Sequence, residues 1–138
     1  MAAPLSAAEA VPVAEFRAAL RGFLRTSERN ARAAGLTPQR YLLLLMIKGA
    51  PDGSEQSTVT DLAERLQLAQ STVTELVGRA EEIGLVARER SSDDGRIAFL
   101  RLTEEGERRL ANVFTSNERE RQALGQAFEH LQSTGLPT

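Results

Sequence analysis

Apolar positions recur at helical spacing along most of the chain, which predicts a mainly α protein. Between Ala69 and Ile83, the residues Val73, Leu76, Val77, Ala80 and Ile83 fall on one face and leave Gln70, Ser71, Thr74, Glu75, Gly78 and Arg79 on the other. The pattern predicts a helix with a buried back and a polar front. Just upstream, Thr58 to Leu66 predicts a shorter helix: Thr58 and Asp61 match a capping box, and Leu62, Ala63 and Leu66 supply the apolar side. Only Gln67 to Ala69 separate the two, so they must cross steeply, as in a helix-turn-helix whose second helix can enter a DNA major groove. Leu85 to Arg90 and Arg96 to Leu102 then read as strands around Ser91-Ser92-Asp93-Asp94-Gly95, and Asp-Gly between apolar strands is a hairpin cue. The helix pair is therefore expected to carry a β-wing.

The flanks are helical too. Phe16, Leu20, Phe23, Leu24, Ser27 and Ala31 form a stripe from Val13 to about Ala34, stopped by Gly35. Residues 1–12, Ala-rich with two prolines, read as a loose arm or a frayed helix start. Thr37-Pro38 opens a helix in which Tyr41 to Ile47 is apolar on every side, so that helix should be central and buried. Gly49 to Gln56 is a loop with Pro51, Asp52 and Gly53 as turn residues. Thr103 caps one long helix whose Glu104 and Glu105 suit the helix dipole. Leu110, Asn117, Leu124 and Leu131 repeat every seven residues, flanked by Phe114 and Phe128. One small winged domain cannot cover so long a stripe, so the helices at 13–35 and 103–131 are expected to form a homodimer interface.

LTPQRYLLLLMI, STVTDLAERLQLAQSTVTELVGRAEEIGLVARE, SSDDGR and LTEEG, in that order and spacing, resemble the MarR family of winged helix-turn-helix transcription regulators. The resemblance implies one MarR-like domain over 1–138. It would be mainly α with a small β-wing, a winged helix-turn-helix at 37–102 between N- and C-terminal dimerisation helices. It also implies a cytoplasmic homodimer that regulates transcription, as a repressor, by binding double-stranded DNA at an inverted repeat. Such regulators are commonly released from DNA by a small aromatic or anionic effector, and Phe16, Phe23, Tyr41, Leu45 and Met46 could line its pocket. Apolar residues at that spacing serve equally as core. Where the family continues with another helix after the long one, this chain stops at Thr138 after Gly135 and Pro137, so a dimer smaller than the family norm or differently packed is expected.

Composition narrows the choice of function. At 138 residues and 41 % hydrophobic, the chain can bury a core. The absence of cysteine removes disulfides, thiolate metal sites and thiol redox sensing. No long apolar run or signal peptide stands out, so a soluble intracellular protein without membrane contact is expected. His130 is the only histidine and lies far from any Ser-His-Asp pattern or metal-ligand cluster. No catalytic residue, metal or cofactor is expected, and the chain is not read as an enzyme.

Net charge complicates the DNA reading. The chain carries −2, and residues 58–102 hold six arginines against eight acids, again −2. Phosphate contacts usually supply the non-specific affinity, so placement must supply a favourable field here. Gln70, Ser71, Thr72 and Thr74 lie in the first turns of the reading helix, where Gln can pair with adenine and Thr methyls with thymine. Each alone is as well suited to a capping or surface role. By the resemblance, Arg96 would enter the minor groove with Asp94 supporting it, against the simpler reading of a local Asp–Arg turn bridge. Arg79, Arg88 and Arg90 are candidates for phosphate contact. Ala69 stands where the family usually has a Ser or Thr cap, and Glu75 where it often has a basic residue. These departures motivate a second reading, a winged-helix protein-binding module that has lost DNA reading. Arg17, Arg21, Arg25 and Arg29 form a row four residues apart that could be a solvated face, pair with the acidic C-terminal helix of a partner, or hold an anion.

Overall fold

The computed structural model describes residues 2–134. Eight elements follow in order: α1 (Ala7–Ala33), α2 (Pro38–Lys48), α3 (Val59–Leu66), α4 (Gln70–Glu82), β1 (Val86–Arg90), β2 (Ala98–Leu102), α5 (Glu104–Ser116) and α6 (Glu118–Thr134). They fall into two compact units, one of residues 31–113 and one joining residues up to Asn30 with those from Phe114 onward.

The larger unit is held by one apolar cluster. Leu43, Leu44 and Ile47 of α2, Leu62 of α3, Val73 and Val77 of α4, Leu85 and Leu100 of the wing and Val113 of α5 are all fully buried within it. Burying each such side chain stabilises by about 1.5–3 kcal/mol. The α2 helix is central, as its apolar run predicts, although Leu42 on its outer side stays 41 % exposed. The capping residues read from the sequence act where expected: Thr37 Oγ1 accepts the Arg40 N–H, and Thr58 Oγ1 accepts the Asp61 N–H. Gln67 turns the chain in the left-handed region (φ 56°), and the Leu68 N–H closes on the Ala63 carbonyl. That wrap forces the steep crossing of α3 and α4. The α4 face holds Val73, Val77 and Ala80 in the core, but not Ile83. The helix ends at Glu82, so Ile83 leaves the stripe and is 46 % exposed.

The strands pair antiparallel, Val86 opposite Leu102 through Arg90 opposite Ala98. Arg96 and Ile97, expected to open the second strand, belong to the turn instead. A bridge not foreseen from the sequence joins Ser57 to Leu100, with both N–H···O bonds made. Thr103 then closes the wing's base: its N–H donates to the Leu85 carbonyl, its Oγ1 donates to the Gly84 carbonyl, and the same Oγ1 accepts the Gly106 N–H. The loop 49–56 is tied back by Lys48, whose Nζ lies 2.6 Å from Glu55 and 3.0 Å from Glu107.

Two helix boundaries are corrected. Helix α1 starts at Ala7, ahead of Val13, because Ser6 and Glu9 cap it reciprocally: the Ser6 N–H donates to Glu9 Oε1 and the Glu9 N–H to Ser6 Oγ. Pro12 is carried inside that helix. The stretch 103–131, read as one helix, is two, α5 and α6, broken at Asn117. Gly135 and Pro137 lie outside the described residues. In the smaller unit, the fully buried Asn117 side chain accepts from Asn30 (2.8 Å) and donates to Ser27 (3.1 Å). Phe16 packs on Phe128 with ring centroids 5.9 Å apart, and the Arg121 guanidinium lies 3.8 Å from the Phe114 ring centre.

Glu105 gives a pH prediction. Hydrogen bonds from Arg108 and then Arg109 pull its carboxyl from an ordinary 4.5 down to about 2. A lowered folded-state value means that the stabilisation is complete above the ordinary value and lost as pH falls through the lowered one. The wild type is therefore expected to exceed Glu105→Gln in urea midpoint at neutral pH, with the gap closing between pH 4.5 and about 2. A gap that does not change over that interval would remove the assigned role.

Candidate nucleic-acid interface

The candidate surface is built from α4 outward. With Val73 and Val77 seated in the core, helical geometry turns Gln70, Ser71, Thr72 and Thr74 into solvent. Ala69 caps the helix with extended backbone and no side-chain bond, so the first amides of α4 are left to an outside acceptor. Gln70 is not wholly free: its Nε2 donates to Thr60 Oγ1 at 3.1 Å, which ties the start of α4 to α3.

The wing supplies the second part. Ser91 Oγ accepts the N–H groups of Asp93 and Asp94 and tightens the tip. Asp94 Oδ1 then accepts the Arg96 backbone N–H at 3.0 Å and the Arg96 Nε at 3.3 Å. These bonds, the backbone one first, hold the Asp94 carboxyl below the usual carboxylate range. The Arg96 side chain remains 92 % exposed, although its Nη2 also reaches Asp94 Oδ2 at 3.5 Å. Arg96, Ile97 and Arg88 line a concavity of about 530 Å3 together with Thr58, Val59 and Thr60. Thr60 is the residue that Gln70 touches, so the start of the reading helix and the wing arginine face one surface.

Sequence reasoning counted the acids but missed how they pair with the arginines. Arg79 lies 3.5 Å from Glu75, one turn earlier on α4. Arg88 lies 2.8 Å from Glu81, with both partly covered, and that pair holds its guanidinium above the ordinary range. Arg101 reaches Glu89 at 3.3 Å and Gln56 at 3.0 Å, and Arg90 donates to the Gly95 carbonyl. The Glu75–Arg79 spacing was readable as a helical pair. Glu81–Arg88 depends on how the wing folds back on α4 and had no local signal.

The residues proposed to line an effector pocket divide between the units. Phe16 and Phe23 are half-buried on α1, whereas Tyr41 belongs to the core of the other unit and Leu45 and Met46 pack against that core. His130 pairs with Glu15 at 2.8 Å. Among the described residues no cluster of His, Cys, Asp or Glu could hold a metal ion, and no helix is long and apolar enough to cross a membrane.

Residues 34–97 match the family model described as MarR family. The organic hydroperoxide resistance transcriptional regulator of Bacillus subtilis is 37 % identical over 71 residues, 51 % of this chain and 46 % of that protein. The HTH-type transcriptional repressor MdtR of the same organism is 34 % identical over 79 residues, 57 % of this chain and 48 % of that protein. The chain thus spans about half the length of these curated relatives. In fold it is similar to a mutant MarR from E. coli complexed with operator DNA, with a TM-score of 0.66 at 18 % identity, covering 88 % of this chain and 90 % of that one.

Proposed function

We propose that the chain, whose residues 34–97 match the MarR family model, is a MarR-type transcriptional regulator, a repressor in the simplest case, reading double-stranded DNA as a homodimer. One observation carries the proposal: Gln70 at the start of α4 touches Thr60, and Thr60 shares a concavity with the exposed Arg96. The first turns of α4 are thereby set to meet base edges while Arg96 reaches towards an adjoining groove. Two-fold symmetry would make the target an inverted repeat with half-sites about 10 base pairs apart or a multiple of that. A relative named as a repressor and a fold neighbour bound to operator DNA support the same reading.

The protein works by binding in the cytoplasm, without catalysis. A small aromatic or anionic effector would release it only by favouring a spacing of the two reading helices that misfits the operator, because differential affinity alone shifts such an equilibrium.

Selection of bound sequences from a random duplex pool, followed by salt titration, tests this reading. Enrichment of an inverted repeat with a steep salt slope is expected. No enrichment by folded, dimeric protein would overturn it in favour of a protein-binding module. On the enriched duplex, Arg96→Ala should weaken binding by ~1–3 kcal/mol with folding intact; unchanged affinity would remove Arg96 from the interface.

A further inference from the structure

Each arginine between residues 58 and 102 is engaged within the chain. Arg65 donates to the Met46 and Gly49 carbonyls and so belongs to the scaffold. Arg90 is spent on the Gly95 carbonyl, and Arg96 is oriented by Asp94. The other three, Arg79, Arg88 and Arg101, each face a glutamate, at 3.5, 2.8 and 3.3 Å. Those glutamates are not part of the buried core. Glu75 and Glu89 are 70 % and 68 % exposed at the side chain, and exposed ion pairs contribute little to stability. What they change is the field that a phosphate meets.

The geometry points to Glu75, Glu81 and Glu89 as specificity-determining residues of the DNA-reading head, an inference that rests on the proposed function. Non-specific binding is almost wholly phosphate neutralisation by unpaired cations. A guanidinium already held by a carboxylate neutralises a phosphate only when the pair opens or is shared, and the carboxylate repels the phosphate until then. On a wrong sequence no base contact compensates for that opening. On the right sequence, the contacts of Gln70, Ser71, Thr72, Thr74 and Arg96 do. The acids therefore act against wrong complexes more than against the right one, which is specificity by repulsion. They also account for a DNA-reading head whose formal charge is −2.

The test uses the full chain and its Glu75→Gln, Glu81→Gln, Glu89→Gln and triple variants. Binding is titrated against salt on two duplexes, the one enriched from the random pool and a scrambled version of it. The scrambled duplex should be bound about two- to fivefold more tightly for each arginine released. The slope of log affinity against log salt should steepen by about 0.9 per arginine. The ratio between the two duplexes should narrow. Because the salt slope counts cations that neutralise phosphate, Glu81→Gln made in an Arg88→Gln background should leave the slope unchanged, whatever affinity the lost repulsion adds; a slope that steepens there would show that Glu81 does not act by holding Arg88 and would overturn its assignment. If the wild type binds its enriched duplex while the folded triple variant keeps the same affinity and slope on the scrambled one, the inference fails and the DNA reading stands. Equal gains on both duplexes would also overturn it. If neither wild type nor triple variant binds any duplex at low salt, the DNA reading fails and the inference with it.

Discussion

Gly106→Ala is expected to destabilise the protein by about 3 kcal/mol, read as a lower urea midpoint with an unchanged slope. A Cβ at this position would lie 2.2 Å from the Leu85 carbonyl oxygen and 3.2 Å from its carbon. Both neighbours are backbone, and the oxygen is already fixed by the Thr103 N–H. No side chain can rotate away, so α5 must retreat from the start of β1. That retreat strains Thr103, which holds Gly84 and Leu85 while capping α5, and it loosens Leu85, which is fully buried. Gly125→Ala on α6 is the control, because a Cβ there meets nothing within 4 Å; by helix propensity it should be neutral or slightly stabilising. A Gly106→Ala protein as stable as wild type would show that the approach of α5 to the wing is looser than described.

The second large effect concerns assembly. On the proposed homodimer, Leu24→Asp should leave the secondary structure intact, convert dimer to monomer in analytical ultracentrifugation, and weaken binding to the enriched duplex at least about 100-fold. Leu24 is already 49 % exposed, so a charge there costs the isolated chain little. It is accompanied by other exposed apolar side chains on the same unit: Val11, Val13, Phe114 and Phe128, between 46 % and 53 % exposed. So many uncovered large apolar groups on one small unit are what the proposed dimer would cover. An aspartate placed at such a surface would be buried without a partner in the dimer. The loss in DNA affinity follows from geometry, since a monomer holds one half-site and forfeits the effective concentration of the second head. A Leu24→Asp protein that stays dimeric would move the interface off this part of α1.

The local rules of helix starts and turns were readable in the sequence. Thr37, Thr58 and Thr103 announce α2, α3 and α5 because a capping hydroxyl acts within three residues of itself. Asp94-Gly95 announces the wing for the same reason. The α5–α6 break was hidden because Asn117 continues a seven-residue apolar repeat, and neither glycine nor proline marks it. Its burial is explained only by Ser27 and Asn30, about ninety residues away in sequence. The site divides along the same line. Exposure of Gln70, Ser71, Thr72 and Thr74 follows from helical periodicity, and the Asp94–Arg96 clamp from a two-residue spacing. The neutralisation of Arg88 by Glu81 arises only when strand and helix meet, so summing charges along the segment gave the right total and missed its arrangement.

The bridge between Ser57 and Leu100 bears on how the head forms. It pairs residues far apart in the chain, one just before α3 and one in the middle of β2, and it uses both backbone groups of a fully buried leucine. A hairpin of two five-residue strands is marginal alone in water. The wing therefore acquires its persistence only after the chain has closed the loop that contains both helices of the reading pair. Its base and the helix-turn-helix should open and close as one cooperative unit, while the tip from Ser91 to Ile97 fluctuates separately. Arg96 thus sits at the far end of an element whose root is anchored in the core, and in the proposed complex that would let it adjust along a groove without releasing α4 from the bases.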